Sequence, residues 1–301
     1  MEFGRVTPKE IDAIDFSLPK EPFFNQHILP GKKSADPKVY VGCAKWGRKE
    51  WVGKIYPKGT TEKDFLKFYV DHFNSIELNT TGYKIPTFEQ AKTWADKAKN
   101  KDFLFCPKLV RFIVPNEDMA AQQKNVQLFL DAAKGFGKHL GPFFLLLMEN
   151  FAPSKANLLF NFLNDFPKTN QLFVELRHKE WYSDKKKLEE LVKELSLQNK
   201  GLIITDTAGR RDMAHMNLTV PKAFIRFVGN SLHPTDYTRV DEWIERIKYW
   251  LSKGLEELYF FIHMHDEAKS PEIAVYLVEQ LNAKCDLKLH NPDWKKSQLF
   301  D

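Results

Sequence analysis

The residues of this chain that could do chemistry occur as close pairs and as single charges within apolar runs. Glu77 and Asn79 stand two positions apart, as do Glu175 and Arg177, and His263 and His265. On an extended strand, side chains two apart leave the same face, so each pair projects in one direction. Lys108 follows Pro107, His178 follows Arg177, and Asp206 and Arg226 stand in apolar surroundings. Carboxylates suit acid and base work, an imidazole titrates near neutral pH, and an arginine fork takes a carboxylate or phosphate through two parallel hydrogen bonds. On these grounds Glu175, His178 and Asp206 are the candidate catalytic groups, with Glu175 or Asp206 orienting the ring of His178 or, as the alternative proton carrier, of His265. Arg177, Arg226 and Lys108, with Lys45 as a further option, are the candidates for holding an anion. Glu77, Asn79, Tyr83, Trp46 and Trp181 complete the expected substrate pocket. The bland alternative is an ion pair of Glu175 and Arg177 with a neighbour such as Arg226 or Glu77, because buried charges must be paired whether or not they react.

His263 and His265, taken with Asp206 and Glu175, are ligand types for a divalent metal, the one cofactor the sequence leaves open. The competing reading is a pair of surface or supporting histidines. The aromatic residues Trp46, Trp51, Tyr83, Trp181 and Tyr182 fall in loops after strands, where they either stack on a base or sugar or cap the core beneath them. Arg210 and Arg211 are expected on the loop side after Asp206. The Gly-x-Ser-x-Gly, phosphate-loop and zinc-finger spacings are absent.

Positioning such groups requires a framework, and the chain supplies eight short apolar runs bounded by turn signals. They are Val39 to Cys43, Ser75 to Asn79, Phe103 to Pro107, Phe143 to Met148, Leu172 to Arg177, Leu202 to Asp206, Phe224 to Val228 and Leu258 to His263. Near-continuous apolar character marks strands covered on both faces. Between them lie stretches with helical spacing, among them Phe65, Phe68, Tyr69 and Phe73, then Val126, Phe129, Leu130 and Ala133, then Leu188, Leu191, Val192 and Leu195. Ser154, Ser183-Asp184 and Ser270-Pro271-Glu272 are helix-start signals. The tightest interval, Leu202 to Phe224, leaves room only for a short helix. Eight strands alternating with helices predict an α/β chain closed into a (β/α)8 TIM-type barrel. An open doubly wound sheet is disfavoured because Gly42 to Gly47 lacks the glycine spacing of a dinucleotide fingerprint.

The chain has 301 residues, of which 43% are hydrophobic and 28% charged, enough for a large core and too apolar for disorder. A net charge of +5 permits an anionic ligand without demanding nucleic acid. Cys43, Cys106 and Cys285 form no C-x-x-C pair, and the first 20 residues carry no apolar leader, so a reducing, cytoplasmic location is expected. No run reaches the length of a membrane span, and no membrane partner is expected. Residues 1–37, punctuated by Pro8, Pro19, Pro22, Pro30 and Pro37, read as an extended arm lying over a barrel of residues 38–285, followed by a polar tail, 286–301.

From Val39 to about Leu281 the chain resembles the YecE-like family, domain of unknown function 72 (DUF72). The resemblance is carried by Val41-Gly-Cys-Ala-Lys-Trp46 with Trp51 and Tyr56-Pro57, by His72 to Asn79 with Tyr83 and Pro86, and by Phe105-Cys-Pro-Lys108. Leu140-Gly-Pro142, Val174 to His178 with Trp181, Asp206 and Arg226 complete it. It implies a TIM-type barrel and no particular reaction. The chain departs from the family pattern at three strand ends: Ala44-Lys-Trp46 replaces Ser-Gly-Trp, Leu147-Met-Glu149 replaces Gln-Leu-Pro, and His263-Met-His265 stands where paired asparagines are usual.

Three functions are therefore expected in competition. The first is an enzyme or ligand-binding barrel for a small anionic substrate, a phosphorylated one included, at the C-terminal mouth. The second is a metal-dependent nucleic-acid phosphodiesterase or nucleic-acid-binding protein. The third is a non-catalytic barrel, which a mouth plugged by the arm would favour.

Overall fold

All eight apolar runs form parallel strands. The computed structural model describes residues 3–292, so part of the expected tail, 293–301, lies outside the described residues. The strands are β1 (Lys38–Cys43), β2 (Ser75–Leu78), β3 (Leu104–Pro107), β4 (Phe143–Leu147), β5 (Leu172–Leu176), β6 (Gly201–Leu202), β7 (Ile204–Asp206), β8 (Lys222–Gly229) and β9 (Glu257–Met264). β6 and β7 are one broken strand: β6 pairs with β5, whereas β7 pairs with β8. Pairing continues from β8 to β9 and from β9 to β1, and β2 pairs with β3. Bridges at Phe105 with Leu140 and at Lys108 with Phe144 join β3 to the β4 region. The architecture is a TIM-type barrel.

Between β1 and β2 side chains replace the backbone ladder. Asn74 accepts from Val41 N at 2.7 Å and donates to Val39 O at 2.8 Å. The Tyr69 hydroxyl accepts from Cys43 N at 2.7 Å and donates to Ser75 O at 3.0 Å. The two strands also touch at Gly42, where a Cβ would lie 2.0 Å from Ser75 O. Gly42→Ala is therefore expected to force them apart and cost about 1–3 kcal/mol, the range for overpacking a tight interior. An unchanged denaturation midpoint would refute this close approach.

Alternation sorts the strand residues into two layers. Tyr40, Cys106, Phe144, Phe173, Ile203, Phe224, Tyr259 and Phe261 fill the barrel interior as a cluster of their own. Their neighbours in sequence, such as Val41, Phe105, Leu145, Val174, Ile225 and Phe260, face the surrounding helices. Those helices are Phe65–His72, Phe88–Lys97, Met119–Ala133, Ala156–Asp165, Lys185–Leu197, Pro234–Lys253 and Ser270–Cys285. Lys185–Leu197 shows the local logic: Asp184 caps it by accepting from Lys186 N and Lys187 N, and Leu191, Val192 and Leu195 recur on its buried face.

Between β7 and β8 the described residues form only the short 3-10 turn Arg211–Met213. The N-terminal segment fills the place a crossover helix would take. Ile11 and Phe16 pack with Ala208, and Asn25, fully buried, donates to Met216 O and accepts from Leu218 N. Leu18 N donates to Glu242, Arg246 pairs with Glu21 at 2.7 Å, and Gly31 N donates to Lys253 O. A segment with little helix of its own thus packs on the loop between β7 and β8 and on the helix Pro234–Lys253 through isolated anchors. Among the described residues no helix is long and apolar enough to cross a membrane.

Candidate functional site

The same alternation that fills the barrel with aromatic rings places charges at its C-terminal end. Glu77 on β2, Glu175 on β5, Thr205 on β7, Arg226 on β8 and His263 on β9 all point inward and are all buried. Arg226 is the centre. Its Nε and Nη2 donate to Glu77 Oε2 and Oε1 at 2.8 and 2.9 Å, a bidentate pair, while its Nη1 donates to Glu175 Oε2. Glu175 also accepts from Arg177 Nε at 2.7 Å and from the Thr205 hydroxyl at 2.8 Å. Glu77 accepts from Asn79 Nδ2 at 2.8 Å, and His263 Nε2 lies 3.0 Å from its Oε2.

Burial alone would push both carboxyl groups up. For Glu175 the Arg226 and Arg177 guanidiniums overcome it and hold the group at about 2; for Glu77, Arg226 and His263 hold it well below the carboxylate range. Both are ionised at neutral pH. Two carboxylates and two guanidiniums therefore cancel within the layer, and every nitrogen of the buried Arg226 guanidinium already donates to a glutamate.

Two groups at the layer keep free valence. Arg177 spends only Nε on Glu175, and among the described residues its two Nη atoms have no hydrogen-bond partner. One face of its guanidinium is covered by the Phe3 ring, 3.8 Å from Cζ to centroid. Lys108, half-buried after β3, likewise has no hydrogen-bond or ion-pair partner for its ammonium among the described residues. Burial, then Arg226, lower its pKa. Gly82 clears its path: a Cβ there would meet Lys108 Cδ at 2.7 Å.

Several expected site residues lie elsewhere. Thr205 points inward, so Asp206 points outward, and its carboxylate accepts from Trp243 Nε1 at 2.8 Å and pairs with Arg239 at 2.9 Å and with Arg211. It is a buried brace between β7 and the helix Pro234–Lys253, and the expected catalytic role does not fit that place. His178, by the same alternation, turns away from Glu175; its Nδ1 accepts from Glu180 N at 3.3 Å, and neither Glu175 nor Asp206 orients it. Arg226 is a partner of two glutamates rather than an open anion fork. Trp181 is buried and donates to Phe151 O, and Trp46 packs edge-on against Trp94, so both cap the core. Tyr83 is 74% exposed and stands apart from the buried layer.

Arg210 donates to Arg177 O and pairs with Asp212. The structure does not assemble the expected metal set: Asp206 faces outward, and His263 sits between Glu77 and the Arg226 guanidinium, its Nε2 3.3 Å from Nη2. Among the described residues no three His, Cys, Asp or Glu groups converge as a metal site. The residues that sequence reasoning missed are Thr205 and Phe3. Thr205 carried a signal, since it shares an inward register with Arg226 across the β7 and β8 pair; Phe3 carried none. A cavity of 460 Å³ opens at the opposite end of the barrel, where Lys38, Asn74 and Lys101 line it, far from these charges in sequence register.

Residues 40–297 match the family described as protein of unknown function DUF72. The chain belongs to this family. It is 26% identical over 261 residues to the UPF0759 protein YecE of Escherichia coli strain K12, covering 81% of this chain and 92% of that protein. A crystal structure of a DUF72 family protein from Enterococcus faecalis V583 superposes with a TM-score of 0.65 at 16% identity, covering 85% of this chain and 98% of that one. At that identity the likeness concerns the fold. No reaction or substrate comes with DUF72 membership, so function must be argued from the charged layer.

Proposed function

We propose that this barrel binds a small anionic molecule, a carboxylate or phosphate, at its C-terminal mouth. One observation carries the reading: above a charge-balanced buried layer, the Arg177 Nη atoms and the Lys108 ammonium have no protein acceptor among the described residues. Cations held in a partly desolvated place with hydrogen bonds unspent attract an anion, and the free edge of a guanidinium takes two oxygens of it at once. The buried quartet is the support that fixes Arg177, through Glu175, in one orientation. His263, which lies in the same buried layer against Glu77, is then the candidate proton carrier, in place of His178.

Titration with inorganic phosphate and with oxalate, followed by calorimetry, tests this. Saturable one-to-one binding is expected, weakened at least about tenfold in Arg177→Met, the loss of one charge-assisted pair. Binding that is absent, or equal in the variant, would overturn the reading.

A further inference from the structure

The geometry points to Lys108 as a nucleophilic amine that forms an imine with a carbonyl compound bearing a carboxylate or phosphate, such as a 2-oxo acid. The inference rests on the anion reading and adds to it a covalent step and a substrate class. Four observations meet at this residue. Its position at the end of β3 is fixed on both backbone sides, because Lys108 N donates to Leu78 O and Lys108 O accepts from the Thr81 hydroxyl at 2.8 Å. Its stem crosses Gly82, where any side chain would occupy its space. The residue is half-buried, and its amine is unbonded to protein among the described residues. Its electrostatic neighbours are Arg226 and Arg177 as well as Glu77 and Glu175.

Burial beside a fixed guanidinium favours the neutral amine, which is the form that attacks carbonyl carbon. The two carboxylates that oppose this are already engaged by Arg226 and Arg177. Arg177 Nη is then placed to receive the anionic group while the carbonyl faces Lys108. A purely electrostatic lysine would be expected to spend its ammonium on Glu77 or Glu175, whose oxygens are instead taken by other donors.

The step balances without an added oxidant or reductant. The Lys108 nitrogen lone pair forms the C–N bond as the C=O π pair moves to oxygen. Nitrogen passes a proton to that oxygen, a second proton enters from solvent or His263, and water leaves. The product is a protonated imine carrying the single positive charge.

The test uses the full chain, pyruvate as probe and sodium cyanoborohydride, which reduces an imine to a stable secondary amine. The expected result is one reduced adduct per chain by intact mass, mapped to Lys108 and formed at least about tenfold faster than at exposed lysines such as Lys97 and Lys99. Lys108→Arg keeps the positive charge and cannot form the imine; it should lose the adduct. Acetone, which lacks the anionic group, should label Lys108 no faster than it labels the other lysines. Labelling spread over surface lysines, or an unchanged adduct in Lys108→Arg, overturns the inference. If phosphate binds through Arg177 and pyruvate leaves no adduct at Lys108, the imine falls and the anion reading stands. If neither occurs, both fall.

Discussion

Arg226→Met should destabilise the protein by about 3–5 kcal/mol, the cost of leaving buried charges without their partner. In a chain of this size that corresponds to a fall of roughly 5–8 °C in Tm. The variant fills a similar volume, so the loss reports charge rather than a cavity. Glu77 and Glu175 are both fully buried, and Glu77 spends both oxygens and Glu175 one on Arg226. With the guanidinium gone, burial again dominates and raises their pKa values. The pH dependence gives the sign. In the parent protein the Glu175 carboxyl sits at about 2, below its ordinary 4.5, so its contribution is complete above about pH 4.5 and is lost as pH falls toward 2. In the variant the carboxylates protonate earlier, and protonation relieves their burial. The stability gap between the two proteins should therefore be widest near neutral pH and narrow steadily below pH 4.5. Urea denaturation at a series of pH values measures it; a gap that is small or independent of pH would show that the layer is not held by charge pairing.

The strand rule that made much of this layer legible also explains the residues that were misplaced. Two-residue spacing correctly puts Glu77 with Asn79 and Glu175 with Arg177 on inward faces, and eight apolar runs suffice to close the barrel. The same parity, applied from Arg226 across to its register partner Thr205, sends Asp206 outward, and applied from Arg177 sends His178 away. Proximity in sequence to a strand end is not enough; the face decides. The break at Ile203 was not legible, because Leu202-Ile-Ile-Thr-Asp206 reads as one continuous apolar strand. Nor was the destination of the N-terminal segment. Its contacts are single anchors, Phe3 on Arg177, Phe16 near Arg239, and Asn25 on Met216 and Leu218, and no periodicity announces them. Glu175 accepts from Arg226, Arg177 and Thr205, and the hydrogen-bonding groups left unspent lie two residues farther out, on Arg177.

Asp206→Asn should lower stability by about 3 kcal/mol and loosen the N-terminal segment at the same time, because one carboxylate joins three elements. Asp206 holds Arg239 and Trp243 of the helix Pro234–Lys253, and it pairs with Arg211, whose Nη2 donates to Phe16 O at 2.9 Å. The Phe16 ring in turn lies 4.9 Å from the Arg239 guanidinium carbon and 5.2 Å from that of Arg211. Burial would raise the Asp206 pKa, but Arg239 and Arg211 hold it below its ordinary value, so its contribution is present above about 3.8 and is lost as pH falls. Asparagine keeps the shape and one acceptor but removes the charge, leaving Arg239 to Asp236 alone at 3.3 Å. Tryptic cleavage at Lys20 and amide exchange across residues 11–18 should both accelerate in the variant. Folded Asp206→Asn should still bind phosphate like the parent, since Arg177 and Lys108 lie on the inner face and Asp206 on the outer. Loss of phosphate binding with the segment still protected would return Asp206 to the ligand site; a loosened segment with binding intact is what its outward register requires.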